Sequence, residues 1–593
     1  MKMNCLLIFD HLNDIIFMKY DDPFENHIKK FALSEGLLLE GDFDAPLNRN
    51  IIIQLFSPIV TSHRIMHCQF GNSYTSMKFK DELKMLFNEF MGYLFLGMTS
   101  DENDGFLNIC ITFVRYLCGP DVYQLLLNKE RCSLLHKLYD NWLKLKEDNQ
   151  AFLVEALEQL VINSDLSNTC LEALKESVTQ LSLYQDLSRV HALLLVKDKF
   201  LSLYSSSNAK QLSAPDILFT IILTHCRGDV FKNIESYRIL LAGPETEPKC
   251  IPHAIHIVEI CDQMFLVYLM EIGNPSVAGS LYDAFCHLHT IQSVQIQRDK
   301  ETLQLAFENL DLATKKLNIS LKKNKNTDIE ASHKQLMKKW DVIKKKYQEY
   351  LKTGSEEAIL RAETLLLGFL ENLKQLLTLS SVDDSVLDFG AEHVLNISQK
   401  VKKDLSTFTE FFTVKGIKNF TFGSRDSITI NKYLEDFPGL VHFLFVDRNT
   451  HRITTPALEW EENKAHLTKK KIWQMVKFSQ RHLQEGHTSL IWKDSAFTCS
   501  FFLWFEDSGG SGLKTTSSPG PFRSFPGILT DHFYTKMKET CFPKTSPLKV
   551  KCFELFCIHL GLVTPSCVLE QARRLAATIW ELKGFPSSVA DLL

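Results

Sequence analysis

Residues 6–17 read LLIFDHLNDIIF, residues 193–204 read LLLVKDKFLSLY, and residues 443–454 read FLFVDRNTHRIT. Each is an apolar run, a short polar turn and a second apolar run, the pattern of a β-hairpin. The segments downstream of the three hairpins also repeat. After the first comes an acidic, Gly-containing connection and then the apolar stretch Asn50 to Thr61, which reads as a buried helix. After the second, Ser213-Ala214-Pro215-Asp216 has a cap followed by Pro in the first turn, a helix start. After the third comes KKIWQMVKFSQRHL, closed by Gly486.

Antiparallel strands are predicted next in every case. They are residues 64–70, 74–79, 83–87 and 93–98 in the first unit, 238–241, 254–260 and 264–270 in the second, and 488–492 and 497–505 in the third. Helices close each unit, at 105–118, at 276–293, and at 528–539 with 563–582. The order hairpin, helix, strands, helix, three times over, predicts an α+β chain of three sheets with flanking helices. The domains fall at 1–127, 186–296 and 428–593. A helical connector at 128–185 reads as helix throughout 134–183, with Phe152, Leu153, Ala156, Leu157 and Leu160 on one face. A charged helical or coiled-coil connector fills 297–427, where Leu336, Trp340, Ile343, Tyr347 and Tyr350 step by four and three. Asn324 to Thr327 marks a loop there, and Gly354-Ser355 starts the next helix.

Composition limits the function classes. The chain has 593 residues, 45% hydrophobic and 23% charged, with a net charge of −5. That balance argues against disorder and against a general nucleic-acid coat. Fifteen cysteines are scattered without a CxxC pair, which predicts reduced thiols and a cytoplasmic chain. No apolar run approaches the ~20 residues that cross a bilayer, so membrane contact is expected to be peripheral.

Chemical motifs are weak. His63 and His67 stand four apart, but Arg64 occupies the place of the metalloprotease glutamate, and Cys286-His287-Leu288-His289 lacks a second cluster. Both sets are expected to be structural, with no metal. Gly510-Ser511-Gly512-Leu513-Lys514-Thr515 resembles a phosphate loop, but Leu513 separates the last glycine from the lysine, and Pro519 prevents the helix such a loop needs. No catalytic residues and no cofactor are assigned. From Lys315 to Lys352, twelve lysines face four acids. Lys338, Lys339, Lys344, Lys345 and Lys346 are its candidate contacts to a membrane or an acidic partner. The Phe-rich strands 90–98 and 501–505 are expected to leave sheet edges or apolar faces for a partner to cover.

A resemblance rests on Tyr433-Leu-Glu-Asp-Phe-Pro-Gly-Leu-Val-His-Phe-Leu-Phe-Val-Asp-Arg448 and on Ser500-Phe-Phe-Leu-Trp-Phe-Glu506. Ala151 to Glu158 and His191 to Val196 fit at the matching places. These segments resemble the Hermansky–Pudlak type 1 branch of the trilongin Rab exchange-factor family, over nearly the whole chain. The resemblance implies three longin-like domains and a heterodimer with the Hermansky–Pudlak syndrome type 4 protein. It also implies guanine-nucleotide exchange on Rab GTPases of lysosome-related organelles such as melanosomes, and recruitment from cytoplasm to endosomal or lysosome-related membranes. The family's first domains build the Rab face, which points to the helix at 49–66 and its polar positions Arg49, Asn50, Gln54, Ser57, His63 and Arg64. Phe443, Phe445, Phe502 and Trp504, at i, i+2 on strands read as neighbours, are expected to form the core through which the third domain serves assembly. A non-catalytic trafficking scaffold or a phosphoinositide-binding tether is the alternative. Two features depart from the family pattern. The middle domain lacks a long Ser/Pro-rich linker between Cys226 and Arg238, and after Glu506 the chain reads SGGSGLKTTSSPGPFRSFPG. Either the last sheet is one strand short, or the segment is an altered splice or gene-model product.

Overall fold

The computed structural model describes residues 3–79, 83–99, 105–183, 189–227, 233–243, 250–272, 274–323, 327–380, 384–419, 436–458, 467–494, 496–517, 519–522, 524–530 and 532–582. Tyr433 to Glu435 of the quoted block and the break at Asn324 to Asn326 lie outside these residues. Two compact units divide the chain: residues 1–139, 238–254 and 271–384 form one, and residues 140–237, 255–270 and 385–593 the other.

The first domain contains β1 (Cys5–Phe9), β2 (Ile15–Tyr20), α1 (Asp22–Ser34), α2 (Arg49–Phe70), β3 (Ser76–Lys78), β4 (Lys84–Phe90), β5 (Tyr93–Thr99) and α3 (Phe106–Cys118). Its sheet runs β2-β1-β5-β4-β3. The β1–β2 turn forms because the Asp10 carboxylate accepts from the Leu12 and Asp14 amides at 2.8 and 2.9 Å. Leu7, Phe9, Leu94 and Leu96 meet Phe24 of α1 and Phe56 of α2 in one core. On the other face, Phe106 and Leu107 of α3 press so closely on Gly97 of β5 that no side chain fits there. Two expectations change. Residues 64–70 continue α2, since nothing stops the helix before Gly71, which takes the left-handed conformation (φ 62°) and closes it. The acidic connection also holds α1, capped by the Asp21 carboxylate on the Phe24 amide at 3.0 Å.

The connector is not one helical stretch. It runs α4 (Gln124–Leu127), α5 (Lys129–Asp148), α6 (Gln150–Leu153), a short strand β6 (Leu157–Glu158) and α7 (Ser164–Ser182). Glu155 at φ 49° breaks the helix, and Asn163 caps the next one. The apolar positions from Phe152 to Leu160 are buried as expected, but on a helix end and a strand.

The second domain holds β7 (Val190–Val196), β8 (Lys199–Ser205), α8 (Ala214–Thr224), β9 (Ile234–Leu241), β10 (Ile251–Cys261), β11 (Met264–Glu271) and α9 (Pro275–Gln297). Its sheet order, β8-β7-β11-β10-β9, repeats that of the first domain. Ser213 and Asp216 form a reciprocal capping box at the start of α8. Then α10 (Lys300–Lys322), α11 (Thr327–Thr353) and α12 (Glu356–Leu379) pack with α9 as a four-helix bundle, α12 returning onto α9. The predicted seam of Leu336, Trp340, Ile343, Tyr347 and Tyr350 lies in its core. Two further helices follow, α13 (Asp384–Leu405) and α14 (Thr409–Ile417).

The third domain contains β12 (Leu440–Asp447), β13 (Arg452–Thr454), α15 (Lys469–Gln484), β14 (Ser489–Asp494), β15 (Phe497–Glu506), β16 (Gly512–Leu513), α16 (Phe533–Cys541), β17 (Lys551–Leu560) and α17 (Pro565–Leu582). The sheet order is β14-β15-β17-β12-β13-β6, the same topology a third time with the connector strand added at one edge. The sheet is not a strand short. Its central strand, β17, comes after an insertion in which β16 extends the β15 hairpin. The phosphate-loop lookalike contributes Gly512 and Leu513 to that hairpin.

The Phe-rich strands are also interior: β5 lies between β1 and β4, and β15 between β14 and β17. They therefore form no open edges, though Phe502 and Trp504 of β15 remain half-exposed. All fifteen cysteines are free thiols. No described helix is long and apolar enough to cross a membrane.

Candidate functional site

Helix α2 starts where the Asn48 side chain accepts from the Asn50 amide at 2.9 Å. Ile51, Ile52, Phe56, Val60 and His63 form its buried face. The opposite face carries Gln54, Ser57, Pro58, Thr61, Ser62, Ile65 and Met66, which line an open, shallow depression. Pro58 has no amide proton, so the Gln54 carbonyl lacks its i+4 helical donor on this outer face. The tip of the β1–β2 hairpin adjoins it: Asn13 reaches the Thr61 hydroxyl at 3.5 Å, and the Arg64 guanidinium donates to the Asp10 carbonyl. Leu12 at that tip is 70% exposed and Phe70 at the helix end is 69% exposed. The surface is thus mixed, with amide and hydroxyl groups bordered by uncovered apolar side chains.

The six residues expected on one contact face separate. Arg49, Asn50 and Gln54 are exposed and Ser57 is half-buried, but of these only Gln54 and Ser57 line the depression. His63 is turned inward. It stacks on Phe87 at 5.3 Å and meets Tyr74 edge-on, and burial lowers its pKa, which keeps the ring neutral. Arg64 is partly buried and engaged with the hairpin backbone. His63 and His67 each lie 3.7 Å from the Glu89 carboxylate. Cys286 sits 4.0 Å from the Met91 sulfur, and His289, half-buried beside Gly92, has its pKa pushed down to about 4 by desolvation. Sequence reading missed Leu12, Thr61, Ile65 and Met66; the exposed apolar side chains among a helix's outward polar positions were the available signal.

The basic run does not form one cationic face. On α11, Lys339 donates to the Gly368 carbonyl and the Asn372 side chain at 2.9 and 2.8 Å. Lys344 pairs with Asp311 at 3.0 Å, and Lys346 with Glu349 at 2.7 Å. Only Lys338 and Lys345 of the five are exposed.

In the third domain, Phe443, Phe445, Phe502 and Trp504 do share one face and one cluster. They are not on neighbouring strands, because β17 lies between β12 and β15. Phe553 of β17 bridges the gap, 6.1 Å from Phe445 and 5.6 Å from Trp504 between ring centroids. Phe443 and Phe445 are buried, whereas Phe502 and Trp504 are half-buried.

Beyond this cluster lies a buried polar network that sequence reading missed. The Arg448 guanidinium pairs with Glu554 at 2.6 Å, and both side chains are fully enclosed. Arg448 also donates to the Val154 and Glu155 carbonyls at 2.9 and 3.1 Å. The Tyr534 hydroxyl donates to Glu554 at 2.8 Å, and its ring lies under the guanidinium. The Glu155 carboxylate accepts from the Ile528 and Leu529 amides. A lone glutamate within KCFELFCIHL was the signal, since an unpaired charge does not survive inside a sheet.

The family of the first longin domain of FUZ, MON1 and HPS1 matches residues 4–145. The second longin domain of the same proteins matches residues 187–288, and the third matches residues 439–583.

Proposed function

Since this chain belongs to the family built on the three longin domains of FUZ, MON1 and HPS1, a family consistent with trafficking and Rab exchange, we propose that it is a subunit of a heterodimeric guanine-nucleotide exchange factor. Its substrates would be Rab GTPases of lysosome-related organelles such as melanosomes. It would act as the counterpart of the Hermansky–Pudlak syndrome type 1 protein, paired with the type 4 protein and recruited from cytoplasm to the organelle membrane. The observation that carries this reading is the mixed outer face of α2 beside the Leu12 hairpin tip, on the domain the family uses for its GTPase.

Exchange makes no covalent bond. The factor binds the nucleotide-free GTPase more tightly than the nucleotide-bound form, and so shifts the population toward release. A mixed surface suits such binding, because apolar side chains displace a switch loop while amide and hydroxyl groups take up its backbone. Arg49, Asn50, Gln54 and Ser57, with Leu12, Ile65 and Met66, are the residues assigned to it. His63 serves the core behind this face, and Arg64 would hold the hairpin tip beside it.

Release of labelled GDP from a panel of Rabs decides the matter, with this chain alone, its partner alone and the two together. Acceleration by the pair, lost on Gln54→Glu with the heterodimer intact, supports the proposal. Normal exchange by that variant would remove α2 from the site, and no acceleration of any Rab would favour the scaffold reading. A lysine-based membrane tether has less support, since three of its five lysines are already engaged.

A further inference from the structure

Helix α10 buries Leu303, Phe307, Leu310, Leu317 and Leu321 in the four-helix bundle. Its outward face nevertheless carries Leu305, Leu312 and Ile319, 61%, 54% and 59% exposed. They stand seven residues apart, which places them in one line along a helix, one apolar position per heptad where a full coiled-coil seam has two. One flank of that line, at the same interval, is Glu301, Glu308, Lys315 and Lys322. The other flank is Thr302, Asn309, Lys316 and Lys323. All eight are exposed. The first flank is therefore acidic in its N-terminal half and basic in its C-terminal half.

We propose that this face binds the same face of a second copy of the chain, with the two α10 helices antiparallel about a two-fold axis at Leu312. In an antiparallel pair each flank faces the same flank of its copy running the other way. Glu308 then meets Lys315 of the other copy, Glu301 meets Lys322, Leu305 packs against Ile319, and Leu312 meets itself. The charge order is self-complementary in that direction alone. A parallel pair would set each flank against the opposite one and bring Lys315 and Lys322 up to Lys316 and Lys323. Symmetry repeats every contact, as an isologous interface requires. Lys315 also pairs with Asp311 of its own helix at 2.8 Å, and Glu308 accepts from Gln304 at 3.0 Å. Both exposed carboxylate and ammonium groups keep further hydrogen-bonding capacity for an intermolecular pair.

A seam of three apolar side chains per copy is small beside the ~1,200–2,000 Å² of a stable interface. Self-association on the order of 10 µM is the expected strength.

Sedimentation equilibrium of the full-length chain, over roughly 1–100 µM to bracket that strength, tests the proposal. Leu312→Glu places like charges on the two-fold axis and should abolish dimerisation across the range. Glu308→Lys and Lys315→Glu should each weaken it by about tenfold, because symmetry makes one reversal repel twice. Their combination should restore it to within about threefold of the original. Glu301→Lys with Lys322→Glu repeats the exchange away from Asp311. All the sites are exposed, and unchanged far-ultraviolet circular dichroism confirms folding. A chain that stays monomeric throughout, a dimer indifferent to Leu312→Glu, or a double reversal no better than the single ones would each overturn the proposal.

Discussion

Replacing Glu554 by Gln keeps the shape of the buried Arg448–Glu554–Tyr534 network and removes one charge. Arg448 would then hold an uncompensated positive charge at a site with no solvent access. Its hydrogen bonds to the Val154 and Glu155 carbonyls satisfy donors but do not neutralise it. Breaking a buried pair from one side costs about 3–5 kcal/mol. Removing both charges with Arg448→Met and Glu554→Leu should cost less than either single change. The remaining loss is then hydrogen bonding to two carbonyls and to the Tyr534 hydroxyl, about 1 kcal/mol each. Hydrogen exchange of peptides covering β12 and β17 reads the opening of this sheet. Glu554→Gln should speed it by roughly 150- to 5,000-fold. Peptides covering residues 150–160 should deprotect with it, because Arg448 holds that segment. A speed-up under about tenfold, or a double variant more open than both singles, would show that the pair does not hold the sheet.

Three further outcomes follow from the same geometry. Phe445→Ala should cost about 3–5 kcal/mol in denaturant titration, and Trp504→Ala clearly less, because Trp504 is half-buried; equal costs would refute the packing assignment. His63→Ala should lower thermal stability and leave GDP release per folded heterodimer unchanged, the reverse of Gln54→Glu; both effects are read on the same preparations. His442, buried against the Gln150 side chain at 2.6 Å, is pushed down to about 3 from 6.5 by burial. A folded-state pKa below the unfolded one gives stability that is complete above about pH 6.5 and is lost as pH falls toward 3. The stability advantage of wild type over His442→Gln should therefore shrink by about 2 kcal/mol between pH 7 and pH 5, measured by thermal melts at both values.

The three hairpins were legible because each depends on adjacent residues, an apolar run broken by a short polar turn. So were the caps at Ser213 and Ser355 and the heptad seam of α11, whose signals lie within a few turns of helix. Local signals failed where distance in sequence was large. Lys551 to Leu560 is the central strand of the third sheet, yet it comes after an insertion rich in Gly, Ser and Pro, and nothing nearby announces its partners. Residues 64–70 read as a strand because Ile65, Cys68 and Phe70 are apolar, but their exposure shows that they lie on the outer side of a continuing helix. The lysines of α11 read as one basic stretch because sequence shows charge without its partners, and Asp311, Gly368 and Asn372 lie on other helices. His63 was assigned to a contact face by its polarity, though position 63 falls on the inward side of the helix that buries Phe56 and Val60.

Sheet edges give the connector a structural role that its helical periodicity concealed. The Leu157 amide donates to the His451 carbonyl at 2.7 Å, and the Leu160 amide donates to the Phe200 carbonyl at 2.7 Å. Leu157 and Glu158 pair in parallel with Arg452 and Ile453 of β13, and Gln159 bridges to Phe200 of β8. One short segment thus satisfies edge strands of both the third and the second sheets, whose backbone groups would otherwise remain open to another chain. Side chains fix the same segment: Lys199 of β8 pairs with Glu158 at 2.9 Å, and Asn419 donates to Glu158 and to the Gln159 carbonyl. Because four successive residues pair first with β13 and then with β8, a shift by one residue would break both sets of hydrogen bonds at once. The segment 150–160 therefore acts as a clasp whose register is set from two sides. The Arg448 contacts to Val154 and Glu155 fix where the clasp begins. The β13 and β8 edges are thereby closed within the chain.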